Sequence, residues 1–420
     1  MSMKTYRILV ILLLLAAVLS TAAYGKNEKL VWCGWSGEEE ATKPTIQGMV
    51  KSWNLKQPNN QVAWVGWPWA NTQEQLIIRS QGGEALDVAQ VDFTMFATLS
   101  AMDVLVDLNQ VYGKTWLKRN FEEASLAIGQ VNGKQLALPW TIASIGTVNN
   151  PALLAKVGVN TPPVTIQEFE SVLLKLKQSD PNIIPYALCT KDATAASDFQ
   201  PWLWAFGGSV FDKKGNVVIN NAQGVKALTW CKSLLDHGLI KMDMTRFDAR
   251  TLFAKNLVGF YHDAIMAKSI AKTNGIPEAD LDKYIQPMQR PVLKTGDKPQ
   301  STMWGHLLVI FKKSTDDPKL AGEFIKHVVS EEQSMRYFEN SGMLPVMKTA
   351  MADPRVQNDP WSKSWLSITK NGRLTESTLY KQAGQINTII TEEFQAALLG
   401  KKTPQKALDD VAARVNSALK

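Results

Sequence analysis

Cysteine and histidine are scarce in this chain of 420 residues, which holds three of one and four of the other. Three thiols leave at least one unpaired even if two form a disulfide, and Cys33, Cys189 and Cys231 are expected as small buried residues rather than catalytic ones. His237, His262, His306 and His327 show no metal-ligand spacing such as H-E-x-x-H. No G-x-S-x-G elbow occurs. GQVNGK is one residue short of a P-loop and lacks its Ser or Thr, and the Asn132-Gly133 turn explains it better. No metal ligand, cofactor or catalytic residue is therefore expected. The basic residues behind the formal charge of +7 are scattered, which argues against a nucleic-acid footprint. After residue 25 no segment is apolar enough for a bilayer span of roughly 20 residues.

What is present is an ordinary globular composition, 45% hydrophobic and 20% charged. At roughly 100–200 residues per domain, the length suits two domains. Residues 1–25 differ: Lys4 and Arg7 precede the apolar run Ile8 to Leu19, and Ser20, Thr21, Ala22 and Ala23 follow. This describes a secretory signal peptide, with cleavage after Ala22, Ala23 or Gly25. No Cys stands at the exit to carry a lipid anchor. The mature chain is expected to be exported.

Strand and helix patterns then alternate. KLVWCGW (29–35), QVAWVGW (61–67) and LDVAQVD (86–92) read as strands. Between them Ile46, Met49, Val50 and Trp53 line one helical face, TQEQLIIRS is a short helix, and 93–101 is helical again. Asn132-Gly133 marks a hairpin. Thr165 to Glu168 forms a capping box ahead of a helix carrying Phe169, Val172, Leu173 and Leu176. Further strands are expected at 217–219, 257–263 and 306–311, and further helices at 222–235, around Leu320 to Val328, and at 379–399. Such alternation builds parallel sheets flanked by helices.

Fourteen tryptophans are a heavy load. Trp53 and Trp230 lie on apolar helix faces and are expected to pack. Others fall where strands end: Trp35 after the first, Trp67 and Trp69 of VGWPWAN after the second, Asp92 after the third. In open α/β sheets ligands bind beyond the carboxyl ends of the strands. A pyranose has an apolar C–H face that suits an indole and hydroxyls that suit Asp, Asn and Arg. Trp35, Trp67, Trp69, Asn71 and Asp92 are thus candidate sugar contacts. Glu38, within Glu38-Glu39-Glu40, is a candidate for the cleft border, although acids there also suit a helix N-terminus.

Several motifs occur in one order: GGEALDVAQVD, NGKQLALPW with TVNNPALL, TPPVTIQEF, FGGSVFDKKGNVVINN, AGEFIKHVVSEEQ and GMLPV. With the opening KLVWCGWSG they resemble the extracellular solute-binding proteins of bacterial ABC importers, in the family-1, maltose-binding-like group. The resemblance covers nearly all of the chain beyond the signal segment. It implies an α/β, two-lobe periplasmic-binding-protein type II fold. Each lobe is then a mostly parallel sheet flanked by helices, and the lobes are joined by hinge segments around an interlobe ligand cleft. The implied division is 26–143 plus 304–347 for the N-terminal lobe and 144–303 plus 348–420 for the C-terminal lobe, with hinge crossings near 140–144 and 303–306.

Carried over by position, Asp92 matches a ligand-binding Asp. Gln200 and Trp202 match an acid–proline–aromatic unit, with Gln in place of the acid. Asp263 falls at a strand end facing the cleft. Trp140, Trp304 and His306 are expected near the hinge, and Arg373 is a candidate donor. Asn149 stands where a Tyr is common, and Trp304-Gly305-His306 replaces a frequent Gly-Gly. The implied function is capture of a mono- or oligosaccharide in the periplasm by a monomer that delivers it to ABC permease subunits in the inner membrane, with no nucleic-acid partner. The alternatives are a polyol, glycerophosphodiester or sugar phosphate as ligand, and an exported glycoside hydrolase. A phosphate would demand clustered Arg or a glycine-rich nest, neither evident here. A hydrolase needs two carboxylates roughly 5–10 Å apart, and Asp92 with Asp263 is the one pair on offer.

Overall fold

Alternation along the first strand decides how the chain layers. β1 (Glu28–Gly34) sends Leu30 and Trp32 into one apolar cluster and Val31 and Cys33 into another, as a side-chain period of two requires. All four are buried, so β1 is covered on both faces, the setting of a parallel sheet. The computed structural model describes residues 28–82, 86–312 and 317–420. The signal peptide expected at 1–25 lies outside them.

β2 (Gln61–Gly66) and β3 (Val88–Val91) flank β1, both parallel to it. β4 (Gln130–Val131) and β5 (Lys134–Gln135) form the expected hairpin. Its turn residues Asn132 and Gly133 have φ of 50° and 76°, the left-handed pair that Asn-Gly supplies. The remaining strands are β6 (Leu138–Asn149), β7 (Ile184–Ala187), β8 (Val258–Asp263), β9 (Gln286–Met288), β10 (Ser301–Ile310) and β11 (Gly372–Arg373). They run in the order β2-β1-β3-β10-β6-β8-β7, with β11 beside β10 and β9 beside β6. Pairing is parallel at both ends of this path and antiparallel where β10 meets β3 and β6, and where β6 meets β8.

β6 and β10 tie the two ends together. Leu138 to Ile145 pairs with β10, and Gly146 to Asn149 pairs with β8 and β9. Both expected hinge segments fall in this ladder. Its register passes from His306–Thr141 to Leu307–Pro139, which leaves Trp140 as an extra residue. A bulge here suits Pro139, which has no N–H to give. The second end of the sheet carries its own core around Phe169, Tyr186, Trp202, Trp230 and Phe260.

Helices start where side chains cap them. Asp92 accepts from the Met95 N–H at 2.8 Å and opens the helix Phe93–Ala101. Thr165 and Glu168 make the expected capping box of Ile166–Ser179, and Thr245 and Asp248 make another for Arg246–Ala254. The strand expected at 217–219 is not formed. Only Val217 bridges, to Phe211, because Asp212 takes the Lys214 and Asn216 N–H groups and turns the chain. The helix expected from residue 379 begins at Ala383. No helix among the described residues is long and apolar enough to cross a membrane.

Candidate functional site

Because β1, β2 and β3 are parallel neighbours, the residues after each strand emerge at one edge. Beyond that edge lies a cavity of about 320 Å³ lined by Trp35, Trp69, Asp92 and Phe93. Trp69 opens the helix Trp69–Gly82. Its indole Nε1 donates to Asp92 Oδ2 at 2.9 Å, while Oδ1 holds the Met95 N–H. Burial pushes the Asp92 carboxyl up, against the pull of these two donors. The carboxylate is fixed in place and keeps lone pairs for further donors.

Trp304, on β10, also lines the cavity. Behind it and Trp35 sits His306, with ring centroids 4.6 and 4.9 Å from theirs at near-perpendicular angles. His306 Nδ1 pairs with Gln90 Nε2 at 2.9 Å. The amide donates, so the ring proton belongs on Nε2. The same amide's Oε1 accepts from the Trp35 and Ser36 N–H groups. Burial lowers His306 to about 3, so it stays neutral and braces both indoles.

The opposite wall comes from the far end of the sheet. Arg246 and Arg250 stand one turn apart on the helix Arg246–Ala254, with Phe247 between them. Arg250 grips Asp263 through two bonds of 2.8 and 2.7 Å, and Arg246 reaches Asp198 at 2.7 Å. Both carboxylates are wholly buried. Burial would raise Asp198, but Arg246 and His262 more than reverse it and hold it well below the usual range. His262 is itself lowered to about 4, by burial and then by Arg290. Across the cavity, Glu39 faces this wall: burial pushes its carboxyl up and Arg250 pulls it down. Arg246 Nε and Asn387 Oδ1 are buried at the cavity with no protein partner.

Of the residues singled out in the sequence, the cavity gathers Trp35, Trp69, Asp92 and Trp304. The others lie outside its lining. Glu38 is exposed and accepts from Trp64 Nε1 at 3.0 Å. Trp67 lies under the Arg79 guanidinium, 5.1 Å from its centroid. Asn71 is exposed on the first helical turn. Trp140 stacks on Tyr337 in the core. Trp202 is wholly buried, packed on Phe169 with its N–H on the Tyr186 hydroxyl. Gln200 is buried on the same helix and bonds back to the Ala196 carbonyl. Asp263 and His306 back lining residues, and Arg373 covers Trp204 at 4.7 Å while pairing with Glu376.

Sequence reasoning passed over Glu39, Arg246, Arg250 and Asn387. The one available signal was the i, i+4 arginine pair behind the T-R-F-D cap. Clustered guanidiniums, judged absent from the sequence, are present in the fold. Asp263 is no free acid opposite Asp92, because Arg250 occupies both its oxygens. The three cysteines are free and buried, and burial raises each thiol. No cluster of three or more His, Cys, Asp or Glu side chains suited to a metal occurs among the described residues.

Comparison with known proteins places this architecture. A family model described as bacterial extracellular solute-binding protein matches residues 48–363, and the chain belongs to that family. The arabinooligosaccharide-binding protein of Bacillus subtilis is 24% identical, the match covering 98% of this chain and 99% of that one. The sn-glycerol-3-phosphate-binding periplasmic protein of Yersinia enterocolitica is also 24% identical, over 80% and 79%. Among solved structures, maltose-bound MalE3 of T. maritima superposes with a TM-score of 0.83 at 23% identity, covering 93% of this chain and 99% of that one.

Proposed function

We propose that this member of the bacterial extracellular solute-binding family is the periplasmic component of an ABC importer and captures a mono- or oligosaccharide for its permease. The observation that carries this is the cavity's make-up. Indoles and a fixed carboxylate stand on one wall, and guanidinium and amide groups stand on the other. Indole faces suit the C–H face of a sugar ring, and Asp92, Arg246, Arg250 and Asn387 suit its hydroxyls. The relatives whose names carry arabinooligosaccharide and maltose support the same class.

The two lobes are 26–143 with 304–347, and 144–303 with 348–420. Supporting this, Ala143 pairs with Trp304 and Ser144 with Met303, so both boundaries lie side by side in the β6–β10 ladder. A ligand touching both walls favours the closed arrangement; one held by a single wall would not. The protein is read as a monomeric binding component; hydrolysis by the Asp92–Asp263 pair is disfavoured because Arg250 holds both Asp263 oxygens.

A thermal-shift screen against saccharides tests the proposal, because a ligand that binds only the folded state adds about 2.7 kcal/mol at a hundred times its Kd. A saccharide should raise the unfolding midpoint and be recovered intact. Release of a cleaved product, or a response only to non-sugars, would contradict it.

A further inference from the structure

We infer that the cleft takes an uncharged or amino-bearing saccharide and rejects acidic ones, with Glu39 as the residue that sets this preference. The inference rests on the carbohydrate reading above and names its chemical class. Arginines in a sugar cleft invite the opposite expectation, since a guanidinium pairs well with a carboxylate or phosphate. Here the charge of each is already matched by a buried carboxylate, while Arg246 Nε stays open to a neutral acceptor. Arg250 gives Nε and Nη2 to Asp263, and Arg246 gives Nη2 to Asp198. Neither carboxylate side chain has any exposure to solvent. An anionic ligand that drew either guanidinium away would leave a buried carboxylate without its counter-ion, the costly half of breaking a buried pair.

The remaining charges in the cavity are negative. Glu39, Asp92 and Asp192 line it, and among the described residues Arg246 and Arg250 are its only cationic lining groups. Counting Asp198, Asp263 and Arg290 behind the lining, three guanidiniums meet five carboxylates. Asp92 is held by Trp69 and Met95, and Asp192 by the Thr194 N–H and hydroxyl. Glu39 differs: its side chain makes no hydrogen bond among the described residues, and it faces the Arg250–Asp263 pair across the cavity. It is an acceptor left open for a ligand donor, whether a hydroxyl or an ammonium. A ligand carboxylate or phosphate placed there meets a like charge in a partly desolvated cleft, where such contacts are costly. Glu39 itself would resist ionising beside a second anion.

The test uses matched pyranosides differing at one position: a neutral sugar identified by thermal shift, its uronate and its amino derivative, each titrated at pH 7 by calorimetry. The uronate should bind about 100-fold more weakly than the neutral sugar, and the amino sugar at least as tightly. E39Q should narrow the uronate-to-neutral ratio about tenfold. A uronate that binds as well as the neutral sugar overturns the inference and leaves the carbohydrate reading standing. A neutral polyol that binds where no sugar does overturns the carbohydrate reading and leaves the charge preference standing. Response to a phosphate ester alone overturns both. A ratio unchanged in E39Q removes Glu39 as the determinant.

Discussion

The two tryptophans of VGWPWAN should behave differently, and the difference stems from the helix that begins between them. Trp69 opens that helix, lines the cavity and gives its N–H to Asp92. Trp67 is spent against Arg79. Trp69→Ala removes a stacking surface of about 0.5–1.5 kcal/mol. It also removes the donor to Asp92, about 1–1.5 kcal/mol more. Together these come to about 1.5–3 kcal/mol, or roughly 10–150-fold in Kd. Trp69→Phe keeps a ring but not the N–H and should lose about tenfold. Trp67→Ala should bind within about twofold of the parent and cost about 1 kcal/mol of stability through the lost guanidinium contact. Calorimetric titration with the best saccharide, paired with urea unfolding, separates the variants. Equal losses of affinity in Trp67→Ala and Trp69→Ala, or parental affinity in the latter, would refute the reasoning.

Three further outcomes are expected. Arg250→Gln leaves Asp263 buried without its counter-ion and should lower the unfolding free energy by about 3–5 kcal/mol in urea; a loss below about 1 kcal/mol would show that Asp263 reaches water or another cation. Asn387→Ala, which removes an unpaired buried amide oxygen at the cavity, should weaken sugar binding about tenfold without lowering stability; unchanged affinity would place Asn387 outside the ligand's reach. His306 is lowered to about 3 from an ordinary 6.5. The unfolded chain therefore binds a proton that the folded chain refuses, and stability falls as pH drops from about 6.5 towards 3. His306→Asn should flatten the fall between pH 6 and 4 by about 1.4 kcal/mol per pH unit; an unchanged slope would mean that His306 protonates in the fold.

Much of the architecture was legible in local pattern. The apolar runs of β1, β2 and β3 and the capping box at Thr165 depend on neighbours a few residues away, and parallel pairing then carried Trp35, Trp69 and Asp92 to one edge. What could not be read depends on which way a side chain turns once the sheets pack. Trp202 and Trp140 have the residue type of a sugar platform, yet the helix face of one and the bulge of the other turn them into the core. Asp263 does sit at a strand end, but it serves Arg250, thirteen residues away on a helix. Arg246 and Arg250 read as surface cations until the fold sets Asp198 and Asp263 behind them. Glu39 and Glu38 are adjacent in a run of three acids, and only the loop geometry after β1 points one to the cavity and the other to Trp64.

The most direct test of saccharide capture between the two walls is a crystal structure with the sugar that most raises thermal stability. A ring lying on Trp35 or Trp69, with hydroxyls at Asp92 and at the Arg246–Arg250 wall, is the predicted result. Density for the sugar outside this cavity, or touching one wall alone, would contradict it.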